Sequence, residues 1–333
     1  MKRKKTAADS PAPSGSRELT SAEALLRQDI EAASRYASAS RATSTRRLYE
    51  SDWRHFEAWC ERRNLKPMPA DPRIVATYMA SEADRGLLPP TLTRRMAAIG
   101  WKHRQDGFLP PQKTAEAAPL LEVMSGIRRS REKPVKKATA AEANVLTKML
   151  QATPPDSLRN VRDRAILALG MAAALRRSEI VALLVEDLDR QPNGLLITVR
   201  SSKTDQESQG EVVGIPHGKG IRPIELLDAW LADAGISEGP IFRTFGRSGR
   251  VLDHEMCDRD IARIVAKAAA RAGLGTTGFS GHSLRSGFIT SAAQQGVTVF
   301  RIKEVSRHKS IQVLAGYVRN TELLKDAAGS GFL

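Results

Sequence analysis

The sequence predicts a mainly α-helical fold with a small β-sheet, divided between two domains. Apolar residues make up 41% of the 333 residues, which is ample for globular folding, and the aromatic fraction of only 5% is typical of helices packed through alanine and leucine. Apolar residues recur at helical spacing along most of the chain, whereas residues 195–199 and 211–215 show the short β-branched runs of strands. Because a chain of this length exceeds one typical hydrophobic core, we expect two domains.

The charge of the chain predicts a polyanionic partner. The formal net charge is +15 at pH 7, which suits DNA, RNA or an acidic membrane surface and does not choose among them. No apolar run reaches about 18 residues, so the sequence predicts no transmembrane helix, and its basic start lacks the apolar stretch of a secretory signal. Cys60 and Cys257 lie outside any CxxC or Cys/His cluster, which favours a reducing cytoplasm without a structural zinc and leaves a disulfide between them open.

Residues 1–42 are expected to form a basic, partly disordered N-terminal segment. Up to about residue 20 they are rich in proline, serine and glycine, a composition that disfavours a packed core. A short helix is predicted over residues 21–37. Such a tail could contact DNA phosphates, although a solvated tail is the interpretation that we favour.

Residues 43–130 predict a domain of four helices joined by short loops. The first helix carries a buried stripe at three- and four-residue steps, formed by Tyr49, Trp53, Phe56 and Cys60. Asp71 followed by Pro72 opens the second helix and Pro89 opens the third, because proline is favoured in the first turn of a helix. Residues 120–127 carry the apolar face of the fourth helix.

Residues 131–140 form a basic segment that is interrupted by proline and lacks apolar periodicity, so we place the domain boundary there. The second domain is expected over residues 141–333. We predict in it an apolar helix over 163–174, the strand pair, helices from Pro223 through Trp230 and from His254 to Ala270, and further helices before the C-terminal tail.

The second domain carries six candidate catalytic residues, which in chain order are Arg176, Lys203, His282, Arg285, His308 and Tyr317. Together they suit a metal-free attack of a hydroxyl group on a phosphodiester. Guanidinium groups bind phosphate oxygens in a planar, two-pronged way and keep their charge, and a lysine in a cationic site can donate a proton to the departing oxygen. A tyrosine becomes a nucleophile where neighbouring cations favour its phenolate.

The spacing of these residues is informative because each has a simpler interpretation on its own. An isolated arginine or turn lysine is usually solvated, and a lone tyrosine is more often part of a core. His282 and Arg285 are three residues apart, which puts both side chains on one helical face. Tyr317 is the only tyrosine in the second half of the chain and follows His308 by nine residues. The complete set in this order outweighs the simpler interpretations.

This ordered set resembles the tyrosine recombinase (phage integrase) family, and the resemblance covers roughly residues 43–320. Three segments carry the match: Leu-Arg-x-Ser-Glu at 175–179, His-x-x-Arg at 282–285, and a histidine followed nine residues later by a tyrosine at 308–317. One departure precedes the last histidine, where Ser306 and Arg307 replace the family's Leu-Gly pair. This replacement bears on the local helix–turn packing.

The resemblance assigns a role to each residue that contacts the phosphate. Tyr317 attacks the scissile phosphate to give a 3′-phosphotyrosine and a free 5′-hydroxyl. Arg176 and Arg285 hold the phosphate, and His308 donates a further hydrogen bond to it.

Proton transfer falls to two further residues in the family. Lys203 protonates the departing 5′-oxygen, and His282 assists proton transfer at the nucleophile. Lys219 competes with Lys203 for its role but does not follow the strand in the expected place. Glu179 is interpreted as an orienting partner of Arg176 without a chemical role of its own.

The resemblance also implies an architecture and a set of partners. A helical, SAM-like core-binding domain and an α+β catalytic domain give a Xer-like two-domain layout for a site-specific DNA recombinase or integrase of the prokaryotic cytoplasm and nucleoid. Its partners would be double-stranded DNA recombination sites and its own copies, with two protomers on each site and four in the synaptic complex. Accessory DNA-bending proteins are left open, and no metal or nucleotide cofactor is implied.

Two alternatives remain open at this point: a non-catalytic DNA-binding protein on a recombinase scaffold, and an enzyme similar to type IB topoisomerases. The first explains the charge and the fold but not the complete reactive set. The second shares the chemistry but acts as a monomer. The sequence contains neither a GxxxxGK[ST] phosphate loop nor the second histidine of a zinc-protease helix after His254.

Overall fold

The computed structural model describes residues 21–39, 42–131, 138–200, 210–275, 278–308 and 310–322. Four predicted features lie wholly or partly outside these residues: the N-terminal tail at 1–20, residues 132–137 of the linker, Lys203, and the tail from residue 323. The chain divides into two compact units between Pro134 and Val135. Helices and two small antiparallel sheets within the described residues confirm the predicted mainly α fold. None of these described helices is both long and apolar enough to cross a membrane.

The first unit is helical and contains α1 (Ser21–Ala39), α2 (Thr43–Glu61), α3 (Pro72–Asp84), α4 (Pro89–Gln105) and α5 (Ala118–Ser130). Helices α2 to α5 correspond to the four helices predicted for residues 43–130. Their starts follow the sequence signals, since the Asp71 carboxylate accepts a hydrogen bond from the backbone N–H of Arg73 at 2.7 Å. Pro72 and Pro89 occupy the first turns of α3 and α4.

The core of the first unit is built around the predicted stripe on α2. Trp53 and Phe56 are buried there among residues of the other helices. Arg95 is also buried, and its Nη1 donates to the Tyr78 hydroxyl at 2.6 Å and pairs with the Glu82 carboxylate. The guanidinium charge is therefore compensated inside the core, as burial of a charge requires.

The second unit combines helices and strands. Its helices are α6 (Ala143–Gln151), α7 (Leu158–Ala172), α8 (Arg177–Ala182), α9 (Pro223–Ala234), α10 (Asp258–Arg271), α11 (Ser283–Gln294), α12 (Val299–Ser306) and α13 (Ile311–Glu322). Its strands are β1 (Leu188–Gln191), β2 (Gly194–Val199), β3 (Glu211–Pro216), β4 (Arg243–Phe245) and β5 (Val251–Glu255). Helix α7 is buried along most of its length and packs against α9 and α11, so it forms the centre of this unit.

The sheets of the second unit are antiparallel. The predicted strand pair is present as β2 and β3, with Leu195 opposite Ile215 and Ile197 opposite Val213, and these four side chains are buried. Strand β1 extends this sheet on the other side of β2, and β4 pairs with β5 in a second sheet. The sequence does not predict β1, because this short edge strand is mostly polar and exposed.

The predicted start of α10 is wrong. The helix expected from His254 begins at Asp258, and His254 belongs to strand β5. Asp258 and Asp260 lie in the first turn of α10, where negative charge interacts favourably with the helix dipole. These aspartates mark the start of the helix better than the apolar pattern does.

The predicted limits of the helix at 163–174 are also wrong. This helix, α7, begins at Leu158, where the Ser157 hydroxyl accepts a hydrogen bond from the backbone N–H of Asn160 at 3.4 Å. It ends before Ala174, which has a left-handed φ of +48°. The reversal of the backbone at this alanine leads the chain into α8.

A close backbone contact fixes the start of α11 against the segment before α6. The backbone N–H of Ala141 donates to the Ser283 carbonyl at 2.9 Å, and a Cβ added at Gly287 would lie 1.9 Å from the Ala141 carbonyl oxygen. Only glycine permits this approach. The contact positions the first turn of α11, which carries two of the candidate catalytic residues.

We expect Gly287→Ala to destabilise the protein by about 1–3 kcal/mol, because the added methyl group forces α11 away from Ala141. Gly126→Ala is the matched control: an added Cβ at Gly126 in α5 meets nothing within 4 Å. Alanine there should leave stability unchanged or raise it by about 0.5–1 kcal/mol. Urea denaturation followed by circular dichroism measures both changes. A Gly287→Ala protein as stable as the wild type would contradict the close packing of α11.

Candidate active site

Arg176 is held at the start of α8 by Glu179. Arg176 is the N-cap residue, and its backbone N–H donates to Glu179 Oε2 at 2.8 Å while its Nη1 pairs with Oε1 of the same carboxylate. Burial raises the pKa of Glu179, but the charge of Arg307 and the hydrogen bonds from Arg176 outweigh burial and hold the pKa below its ordinary value. The ionised carboxylate fixes the direction of the Arg176 side chain.

Arg285 is buried in the first turn of α11. It is 1% exposed, and its Nη1 donates to the Ala174 carbonyl oxygen at 2.8 Å. Burial, and then the charge of Arg176, lower the pKa of Arg285 to about 9, so the guanidinium is still charged at neutral pH. Within the described part of the chain its hydrogen bonds go to a carbonyl and to His308 rather than to a carboxylate. Its charge is therefore available to an anion.

The contact between Arg285 and His308 defines the tautomer of the histidine. Arg285 Nη2 lies 3.2 Å from His308 Nδ1, and the Ser306 hydroxyl oxygen lies 2.9 Å from the same nitrogen. Because a guanidinium only donates, Nδ1 accepts and the proton of the neutral ring is on Nε2. Burial, and then the charges of Arg285 and Arg176, lower the pKa of His308 to about 4. The ring is neutral at pH 7 and can offer Nε2–H as a donor.

His282 is the N-cap residue of α11 and keeps an exposed surface. Partial burial of its ring, and then the charges of Arg285 and Arg176, lower the pKa of His282 below its ordinary value of 6.5. An imidazole that is neutral at pH 7 can accept a proton.

Tyr317 lies on α13, close to the same charges. Its ring packs, partly buried, against a small apolar cluster formed by Ile289, Ala293, Ile302 and Leu314. A phenolate at Tyr317 would raise the pKa of Arg285. Helix α13 therefore brings the tyrosine within electrostatic reach of the buried guanidinium.

Arg307 belongs to this site, although sequence reasoning gave it no role. It ends α12 with φ +53° and ψ +45°, a left-handed conformation that costs a non-glycine residue about 1–3 kcal/mol. Its side chain is nevertheless 2% exposed, and its Nη2 donates to Glu179 Oε2 at 2.8 Å. Its Nη1 donates to the carbonyl oxygens of Val305 at 2.9 Å and Ala173 at 3.3 Å. The arginine in place of the family's glycine is the sequence signal that could have identified it.

The structure brings together five of the six predicted residues, namely Arg176, His282, Arg285, His308 and Tyr317. Lys203 is not among the described residues. Lys219, the competing lysine, is exposed between β3 and α9. No group of three or more His, Cys, Asp or Glu residues in the described part of the chain is arranged to hold a metal ion.

Comparison with known proteins relates this geometry to one family. The model of the phage integrase family matches residues 139–323, more than half of the chain. The chain is 34% identical over 291 residues to an integrase/recombinase xerD homolog of Selenomonas ruminantium, which covers 87% of this chain and 85% of that protein. It is 25% identical over 287 residues to the recombinase Cre of Escherichia phage P1, which covers 81% of this chain and 82% of Cre.

Solved structures share the fold. The post-cleavage complex of XerH recombinase with a palindromic difH substrate matches with a TM-score of 0.60 at 16% identity, over 79% of this chain and 73% of that one. A lambda integrase dimer bound to a COC′ core site matches with a TM-score of 0.59 at 18% identity, over 91% of this chain and 82% of that one. At such identities the likeness concerns the fold alone. Because the family model spans more than half of the sequence and the xerD homolog is 34% identical, the chain belongs to the phage integrase family of tyrosine recombinases.

Proposed function

We propose that the chain is a site-specific DNA recombinase that cleaves and rejoins double-stranded DNA through a 3′-phosphotyrosine intermediate. The observation that carries the proposal is the convergence of Arg176, Arg285 and a neutral His308 near Tyr317. These residues offer two guanidinium charges and one neutral N–H donor to a single anion beside a hydroxyl group. Such an arrangement suits a phosphate in a transition state, where negative charge accumulates on the oxygens.

In the proposed first step, the Tyr317 oxygen attacks the scissile phosphorus. A bond forms between this oxygen and phosphorus as the bond from phosphorus to the 5′-oxygen breaks, so the 3′ end of the DNA stays on the tyrosine. Arg176 and Arg285 bind the nonbridging oxygens, and His308 Nε2–H donates a third hydrogen bond. The protein supplies mainly position and electrostatic stabilisation.

Two further residues move protons in this proposal. His282 receives the proton of the Tyr317 hydroxyl, and Lys203 gives a proton to the departing 5′-oxygen. In the second step a 5′-hydroxyl from the partner DNA attacks the phosphotyrosine, and the same residues act in reverse. Because one phosphodiester is exchanged for another, the scheme consumes no nucleotide.

The proposed assembly has two protomers on each recombination site and four in the synaptic complex. The lambda integrase structure contains a dimer on its core site, which supports one dimer per site here. We assign DNA binding to the helical domain at residues 43–130 and catalysis to residues 141–333. The basic segment between these two domains would cross the phosphate backbone of the DNA. Integration of a mobile element in a prokaryotic cytoplasm is the setting that we favour, and resolution of plasmid or chromosome dimers comes next. Accessory DNA-bending proteins are further candidate partners.

Tyr317→Phe is expected to abolish the covalent protein–DNA adduct while DNA binding persists, because the change removes only the nucleophilic oxygen. The measurement uses a substrate nicked near the cleavage site, from which the released fragment diffuses away and traps the adduct. A denaturing gel then shows a shifted band for the wild type, and peptide mapping assigns the DNA to Tyr317.

Tyr36→Phe is the matched control for this substitution, since Tyr36 is 78% exposed on α1. It should form the adduct at the wild-type rate. Adduct formation by Tyr317→Phe, or none by the wild type on any mapped site, would show the proposed mechanism to be wrong.

Lys203→Ala is expected to block cleavage of ordinary DNA but to cleave a 5′-phosphorothiolate substrate at close to the wild-type rate. The sulfur of that substrate leaves without a proton, so the general acid is no longer needed. Lys219→Ala serves as the control and should cleave both substrates. Failure of the sulfur substrate to rescue Lys203→Ala, with binding intact, would move the role to another residue.

The affinity for a recombination site should fall steeply with salt. A protein that neutralises six to ten phosphates loses roughly 10³- to 10⁵-fold in affinity between about 50 and 200 mM salt, because bound counterions are released on association. Fluorescence anisotropy with labelled site DNA measures the slope. An affinity that stays constant over this range would count against DNA binding through the basic surfaces.

A further inference from the structure

The buried carboxylate of Glu179 is shared by two arginines. Glu179 Oε1 pairs with Arg176 Nη1, while Oε2 accepts hydrogen bonds from the backbone N–H of Arg176 and from Arg307 Nη2, each at 2.8 Å. The Glu179 and Arg307 side chains are 1% and 2% exposed, so solvent screens this pair little. Arg176 is more open, with 21% of its side chain exposed.

This arrangement resolves an electrostatic conflict at the phosphate site. A carboxylate that orients Arg176 also cancels its charge, and cancellation weakens the attraction of Arg176 for an incoming phosphate. A second guanidinium on the same carboxylate offsets the negative charge of Glu179. The group of Arg176, Glu179 and Arg307 then keeps one net positive charge that an anion can use.

We propose that Arg307 is a positioning residue for the recombination chemistry, which compensates the charge of Glu179 and so leaves the charge of Arg176 available to the scissile phosphate. This inference rests on the proposed function and deepens it. Arg307 acts through Glu179 and Arg176, because its Nη1 and Nη2 already donate to two carbonyl oxygens and to the Glu179 carboxylate.

The main chain of Arg307 supports the same role. Its carbonyl oxygen accepts a hydrogen bond from Arg176 Nη2 at 3.2 Å, so Arg307 contacts Arg176 directly as well as through Glu179. The left-handed backbone of Arg307 is followed at once by His308, whose ring contacts Arg285. A single residue thus connects the guanidinium of Arg176 to the turn that holds the catalytic histidine.

Glu211 is the other carboxylate near Arg307 and has a smaller effect. Its Oε2 lies 3.5 Å from Arg307 Nε, and its side chain is 46% exposed. Solvent therefore screens its charge, and an exposed pair of this kind contributes little. The buried Glu179 is the carboxylate whose charge Arg307 has to offset.

A double-mutant cycle tests this role, because it separates charge compensation from simple packing. The variants are Arg307→Gln, Glu179→Gln and the two combined, with Arg307→Lys as the variant that keeps the charge. Glutamine retains the length of each side chain, and at 179 its amide oxygen still accepts from the backbone of Arg176. Arg222→Gln is the matched control, since Arg222 is an exposed arginine that pairs with Glu225 at the start of α9.

The readout is the single-turnover rate of adduct formation on the nicked substrate with the protein in excess, so that binding does not limit the rate. We expect Arg307→Gln to slow this step by about 10- to 100-fold, the order of effect found when a group that orients a metal ligand is removed. Adding Glu179→Gln to Arg307→Gln should raise the rate of adduct formation again by at least about tenfold, because Arg176 is then no longer neutralised. Arg307→Lys should retain more of the rate than Arg307→Gln, and Arg222→Gln should leave it unchanged.

A combined variant no faster than Arg307→Gln, or an Arg307→Gln protein as fast as the wild type, would overturn the inference while the recombinase function stands. A wild type that forms no adduct would instead refute the proposed function. Melting temperatures establish that each variant is folded at the assay temperature. If Arg307→Gln is not folded, the test uses Arg307→Lys instead. A folded Arg307→Lys protein whose rate of adduct formation is more than about tenfold below that of the wild type overturns charge compensation.

Discussion

The rest of the site depends on the hydrogen bonds and ion pairs that the carboxylate of Glu179 makes. It caps α8, orients Arg176 and binds Arg307, which lies 128 residues later in the chain. Burial alone would favour its neutral form, but the charges and hydrogen bonds of two arginines outweigh this effect. The same contacts bring α8 and the end of α12 together, and so bring Arg176 near Arg285 and His308.

Local spacing accounts for two pairs of residues in the candidate site. Arg176 and Glu179 are three residues apart, as are His282 and Arg285, and one helical turn is enough to bring each pair to one place. The four-helix unit could also be predicted from the sequence, because prolines and an aspartate mark the starts of its helices. These features depend on neighbours along the chain.

The parts that sequence reasoning did not predict depend on distant contacts or on weak local signals. Arg307 reaches the carboxylate of Glu179 on another helix only because a left-handed turn points its side chain that way. Strand β1 forms because β2 offers it an edge, although its own residues are polar. The start of α10 was placed too early because the last residues of β5 are polar and exposed and give no strand signal.

The small apolar cluster beneath α13 has a consequence for the stability of the segment that carries Tyr317. Arg176 and Arg285 lie at the starts of α8 and α11, which contribute to the large core around α7, whereas Tyr317 packs against this smaller cluster. Segments with few buried apolar contacts open at a lower free energy than the domain as a whole. Tyr317 is therefore carried by a segment with less apolar support than the helices that carry Arg176 and Arg285.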